Sequence, residues 1–197
     1  MLYVMLHLCG YDIALEDLAN FRQLRSKLPG HPEWGVTPGV ETSTGPLGQG
    51  IANAVGFALA EKVLAARFNK PGMPLVDHFT YAFCGDGCMM EGISCEAAAL
   101  AGTWKLGKLI VIYDKNDVTI EGGIDGVADE NVGARFASQG WQVLECPDGN
   151  DTEAVGAALT LAKADTERPT LVIVRTTIGY GTSKAGSASS HGAPLGA

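Results

Sequence analysis

The stretch "YAFCGDGCMMEGISCE", residues 81–96, decides how the rest of this chain is read. An apolar run ends in Gly85-Asp86-Gly87, and helix-forming residues restart at once. A connection that only turned a corner has no need of a carboxylate between two glycines. Glycine removes Cβ bulk and admits unusual backbone angles, so a second body can approach the main chain closely. What that body is becomes the question for the remaining sequence.

Outward from this point, strand and helix patterns alternate. Upstream, residues 47–68 ("LGQGIANAVGFALAEKVLAARF") place apolar side chains at helical spacing, with small Ala and Gly residues that permit close packing. "HFTYAFCGDG" reads as a buried strand and "EGISCEAAALAGTWKL" as a helix. "KLIVIYDKN" is a second strand; a helix near "DENVGARFASQG" leads to a third, "WQVLECP". "DTEAVGAALTLAKAD" is a helix opened by an Asp or Thr cap, and "PTLVIVRTTIG" is a fourth strand. Strands that are apolar throughout and separated by helices indicate an α/β fold, a mostly parallel sheet with helices on both faces. The opening, "MLYVMLHLCGYDIALEDL", lacks the features of a signal peptide and reads as an amphipathic helix already under way. The closing segment, residues 179–197 ("GYGTSKAGSASSHGAPLGA"), is a Gly/Ser-rich loop, either a disordered tail or a functional lid.

Composition narrows the function classes. The chain has 197 residues, the length of one large domain, and 46% of them are hydrophobic against 18% charged, which suits a well-buried protein rather than a disordered one. A formal net charge of −8 argues against nucleic acid or an anionic membrane as the main partner. No run of apolar residues is long enough to span a bilayer. An anionic ligand would therefore depend on local help from a metal or from helix N-termini. The five cysteines form no CxxC pair and read as reduced thiols of a cytoplasmic protein, and the spacing of Cys84, Cys88 and Cys95 matches no structural zinc pattern.

In open parallel sheets, ligands collect at the carboxyl ends of the strands. Asp86 follows one strand and Asn116 the next, 30 positions later, so one crossover between adjacent strands brings the two together. A carboxylate, an amide oxygen and a backbone carbonyl are hard ligands suited to Mg²⁺ or Ca²⁺, and Mg²⁺ commonly completes its octahedron with phosphate oxygens and water. Taken alone, Asp86 also fits a capping residue and Asn116 a turn residue. The segment "ETSTGPLGQG", residues 41–50, adds a loop running into a helix N-terminus, a natural seat for phosphate.

Together, "PGHPEWGVTPGVETSTGPLGQGIANAVGFALAEK", "YAFCGDGCMMEGIS", "YDKNDVTI" and "KAGSASSHGAPLG" resemble the transketolase family, in that family's order and over essentially the whole chain. The resemblance implies a single thiamine-diphosphate-binding (PP) domain over residues 1–197, with residues 179–197 as an active-site loop. It implies that Asp86, Asn116 and the carbonyl of Val118 hold Mg²⁺, with Ca²⁺ or Mn²⁺ as substitutes, against the cofactor's diphosphate. Gly87 would lie on that diphosphate, and Gly45, Pro46 and Leu47 would line the cofactor. His31 and His191 would reach the thiazolium ring and the substrate hydroxyls, and Glu91 would belong to a carboxylate network joining two active sites of a homodimer.

The implied activity is transfer of a two-carbon ketol unit from a ketose phosphate to an aldose phosphate in the pentose phosphate pathway, with the cofactor as electron sink. Neutral histidines suit proton exchange with sugar hydroxyls near pH 7. A dihydroxyacetone synthase-like enzyme or a non-catalytic module on the same scaffold are the alternatives. Against the family pattern, an N-terminal segment with two histidine motifs and the pyrimidine-binding and C-terminal domains are not represented. The chain is therefore expected to be a piece, truncated at its N-terminus and inactive alone, that works with the pyrimidine-binding domain of a second subunit.

Overall fold

The computed structural model describes residues 1–192, and residues 193–197 lie outside the described set. The chain divides into two units, Met1–Leu47 and Gly48–Ala197.

In the first unit, the opening segment forms two short helices rather than one: α1 (Leu2–Leu8) and α2 (Leu15–Ala19). Gly10, at φ 84°, breaks the run in a left-handed conformation that periodicity alone does not reveal. Tyr3, Ile13, Leu28 and Val40 make a small core with Leu6 and Leu18 beside it, and the Tyr3 hydroxyl donates to the Pro29 carbonyl at 2.7 Å.

The second unit begins with the long helix α3 (Gln49–Phe68) and continues with β1 (Thr80–Gly85), α4 (Asp86–Met90), α5 (Gly92–Thr103) and β2 (Leu109–Lys115). A two-residue antiparallel ladder, β3 (Val118–Thr119) with β4 (Gly122–Gly123), precedes α6 (Val132–Ser138), β5 (Gln142–Cys146), α7 (Thr152–Ala164) and β6 (Thr170–Arg175). The main sheet has the order β1-β2-β6-β5, and every pairing in it is parallel. Asp151 caps α7 as its sequence position suggests, accepting from the N–H groups of Glu153 and Ala154.

Strand alternation sorts the core into two layers. Leu109, Val111 and Tyr113 of β2 and Leu171 of β6 pack with Ile51, Val55, Ala98 and Phe136 of α3, α5 and α6. On the opposite face, Ile110, Val172, Val174 and Cys146 pack with Ala158 and Ala162 of α7. Helices thus occupy both faces, as expected. On this second face α7 covers β5 and β6, and further along β1 leaves Tyr81 and Phe83 exposed (44% and 60%).

The segment after β6 closes on itself. The Gly186 N–H donates to the Ile178 carbonyl at 2.8 Å, the Ser190 hydroxyl donates to the Lys184 carbonyl at 2.7 Å, and a 3-10 turn covers Ala188–Ser190. Residues 179–192 are therefore a folded series of turns. No helix among the described residues is long and apolar enough to cross a membrane.

Candidate cofactor and metal site

The Gly-Asp-Gly turn places a buried acid at the carboxyl end of the sheet. Gly85 ends β1 as the extended N-cap of α4, and open space lies where its Cβ would stand. Asp86 opens α4 and is 4% exposed. Its Oδ1 accepts from the Tyr113 hydroxyl at 2.6 Å, and its Oδ2 accepts the backbone N–H groups of Asn116 and Asp117 at 3.1 and 3.0 Å. All three donors are neutral, and among the described residues no Lys, Arg or His pairs with Asp86. A carboxylate taken out of water without a cationic partner is costly, and a bound cation relieves that cost. The donor set thus fits a divalent metal. Burial, reinforced by the hydrogen bond to Asp86, pushes the Tyr113 phenol well above its ordinary range, so it remains a donor.

The parallel register that sets Gly85 beside Asp114 brings the next loop to this acid. The Asn116 side chain is fixed at both ends: its Oδ1 accepts from the Val118 N–H at 3.1 Å, and its Nδ2 donates to Asp114 at 3.3 Å. Asp114 also accepts from the Thr176 hydroxyl. Between Asn116 and Val118, Asp117 takes a left-handed conformation (φ 58°), which few residues other than glycine adopt. Its carboxylate bridges Lys115 and Arg175, which stand side by side on β2 and β6. Burial pushes the Asp117 carboxyl up, but these two cations outweigh it and hold the group below the usual carboxylate range.

Asp86, Asn116 and Val118, the three expected metal ligands, are therefore joined in one hydrogen-bonded network, and Gly87 lies beside it as the second residue of α4. No group of three or more His, Cys, Asp or Glu side chains able to hold a metal occurs among the described residues. A set of one carboxylate, one amide and one carbonyl suits a hard ion that draws its remaining ligands from phosphate and water.

The other expected residues fall elsewhere. His31 and Gly45 meet within the first unit: Gly45 has φ 135°, and a Cβ there would stand 2.6 Å from the His31 ring. Glycine is required at that contact, and Pro46 and Leu47 follow it, exposed. Glu91 is not a first-turn acid but the extended residue (ψ 135°) that separates α4 from α5. Its Cβ lies 2.8 Å from where a Gly48 Cβ would be, which ties this corner to the start of α3. His191 is exposed just after the 3-10 turn and takes no part in the Asp86 network.

Beside Asp86 lies a cleft of about 580 Å³ between the carboxyl ends of β2, β6 and β5 and the start of α6. Met89, Met90, Lys115, Glu145 and Arg175 line it. Sequence reasoning missed three residues of this region: Tyr113, Asp117 and Arg175. Tyr113 carried a usable signal, since it shares a strand face with Leu109 and Val111 yet has a hydroxyl that must find a partner.

Comparisons with known proteins bear on the family and the fold. A family described as "Transketolase, thiamine diphosphate binding domain" matches residues 1–197. Transketolase 1 of Vibrio cholerae is 58% identical over the whole chain, and transketolase 1 of Escherichia coli is 57% identical. In both cases the chain spans about 30% of the relative's length. Among solved structures, transketolase from Leishmania mexicana superimposes with a TM-score of 0.95 at 51% identity, over 98% of this chain and 29% of that one. A Pichia stipitis transketolase complex with sedoheptulose 7-phosphate superimposes with a TM-score of 0.96 at 51% identity, over 99% of this chain and 29% of that one. The chain therefore belongs to the transketolase family, whose thiamine-diphosphate-binding domain it carries.

Proposed function

We propose that this chain holds the diphosphate end of thiamine diphosphate, through Mg²⁺, in an enzyme that transfers a two-carbon ketol unit between sugar phosphates. The observation that carries this reading is the buried Asp86, without a cationic partner among the described residues and hydrogen-bonded to the loop that presents Asn116 and Val118. Asp86, the Asn116 side-chain oxygen and the Val118 carbonyl are the proposed metal ligands. The backbone at Gly87 and the Gly45-Pro46-Leu47 turn are the proposed cofactor contacts. When bound, thiamine diphosphate supplies an electron sink for cleavage and formation of a carbon–carbon bond next to a carbonyl.

The chain's own residues bind, orient and move protons. His31 and His191 are proposed to exchange protons with the hydroxyls of the sugar, a task suited to imidazole near neutral pH. Sugar phosphates as substrates are supported by the Pichia stipitis relative solved with sedoheptulose 7-phosphate. The same reading includes a homodimer in which Glu91 joins the two sites, a pyrimidine-binding domain contributed by the second subunit, and a cytoplasmic role in the pentose phosphate pathway.

Calorimetric titration of thiamine diphosphate into the complete enzyme tests the site. Binding should appear with Mg²⁺ and vanish with a chelator, and production of sedoheptulose 7-phosphate from xylulose 5-phosphate and ribose 5-phosphate should follow the same metal dependence. Cofactor binding indifferent to the chelator would overturn the metal assignment.

A further inference from the structure

We propose that Asp117, clamped between Lys115 and Arg175, is a positioning residue that sets the metal affinity of the Asn116–Val118 loop. This deepens the metal-site reading above and rests on it. Three observations converge on Asp117. Its backbone is left-handed, a conformation that strains an L residue, so something must hold it there. Its N–H is one of the two main-chain donors to the Asp86 carboxylate. Its own carboxylate bridges two cations from adjacent parallel strands, Lys115 at the end of β2 and Arg175 at the end of β6.

The consequence is mechanical. Asn116 and Val118 are the neighbours of Asp117 on either side, so the turn at Asp117 sets where the amide oxygen and the carbonyl stand relative to Asp86. A short loop with only a two-residue ladder after it would otherwise sample several arrangements. Anchoring its central carboxylate to the rigid ends of β2 and β6 removes that freedom before the metal arrives, and preorganisation of this kind raises affinity without adding a ligand. Lys115 and Arg175 also gain from the bridge: they are register partners, and two cations side by side repel unless an anion lies between them.

Asp117→Gly is the decisive substitution, because glycine adopts the left-handed turn without strain but carries no carboxylate. In the complete enzyme, the Mg²⁺ concentration that half-saturates thiamine diphosphate binding is measured calorimetrically, alongside the melting temperature of the cofactor-free protein. Two partly exposed ion pairs support a loss of about threefold to thirtyfold in metal affinity. Turnover at saturating metal and cofactor should change far less, giving a metal-affinity effect separated from kcat. Arg175→Met, which leaves the Asp117 backbone in place, should shift the same midpoint by about threefold and serves if the glycine variant folds poorly. A midpoint within twofold of the parent for both variants would overturn the clamp. Asp86→Asn run in parallel separates the two claims: if that variant loses metal dependence while Asp117→Gly matches the parent, only the clamp is wrong. If Asp86→Asn keeps metal-dependent binding, the metal site and the clamp both fall.

Discussion

Replacing Asp86 by Asn or by Ala distinguishes its role as an internal hydrogen-bond acceptor from its proposed role as a metal ligand. Asp86 accepts three hydrogen bonds at 2.6 to 3.1 Å while 4% exposed. Asparagine preserves the shape. Its oxygen still accepts the N–H groups of Asn116 and Asp117, and the Tyr113 hydroxyl can rotate to accept from the new amide. Each bond then falls from the range of a carboxylate acceptor to that of a neutral one, a loss of about 1 kcal/mol apiece. The substitution also removes a buried charge that has no cationic partner among the described residues, and that gain offsets the loss. The melting temperature of the cofactor-free Asn variant should therefore stay within about 4 °C of the parent, a net change of about 1 kcal/mol or less. Alanine instead leaves three donors without an acceptor, at about 1–3 kcal/mol each, and is expected to be clearly less stable than Asn. Differential scanning calorimetry of the cofactor-free complete enzyme measures this order, and titration with thiamine diphosphate and Mg²⁺ measures the second role. Metal-dependent cofactor binding should be lost in both variants, even where Asn is well folded. An alanine variant as stable as the asparagine variant would refute the hydrogen-bond reasoning, and an asparagine variant with parental metal dependence would refute the ligand.

Tyr113→Phe removes one donor from Asp86 and should cost about 1–3 kcal/mol of stability. Because the folded phenol is held above its ordinary range, its contribution is complete below pH about 10 and declines as pH rises beyond that. The Phe variant should therefore lack part of the alkaline loss of stability in a pH series of melting temperatures, and an unchanged alkaline limb would contradict this. His191→Ala should lower turnover with a melting temperature within about 1 °C of the parent, since the side chain is exposed on a turn; normal turnover with a large drop in melting temperature would make the residue structural. Gly102→Ala puts a Cβ 1.8 Å from the Gln139 carbonyl oxygen, where only backbone can yield, and should cost about 3 kcal/mol or more. A melting temperature unchanged within error would show that the α5–α6 contact is looser than it stands.

The sequence by itself determined the four strands of the main sheet, the main helices between them, and which polar residues stand at the sheet's carboxyl end. Val, Ile and Leu runs between capped helices specify a parallel sheet because both sides of every strand must be buried, and Asp151 marks its helix because the orphan N–H groups there need a nearby acceptor. The 30-residue interval from Asp86 to Asn116 was legible because one crossover has a narrow range of lengths. Local pattern carries no information about which strands become neighbours, and only the tertiary structure decided the order β1-β2-β6-β5. That order places β6 beside β2, so Arg175 meets Lys115 and both reach Asp117, an association across 58 residues that no periodicity encodes. The break at Gly10 was hidden for the opposite reason: it interrupts an apolar pattern that runs on across it. Burial is the last such property. Asp86 looks like any turn carboxylate in the sequence, and comes to fit a metal only where the fold takes it out of water and gives it no cation among the described residues.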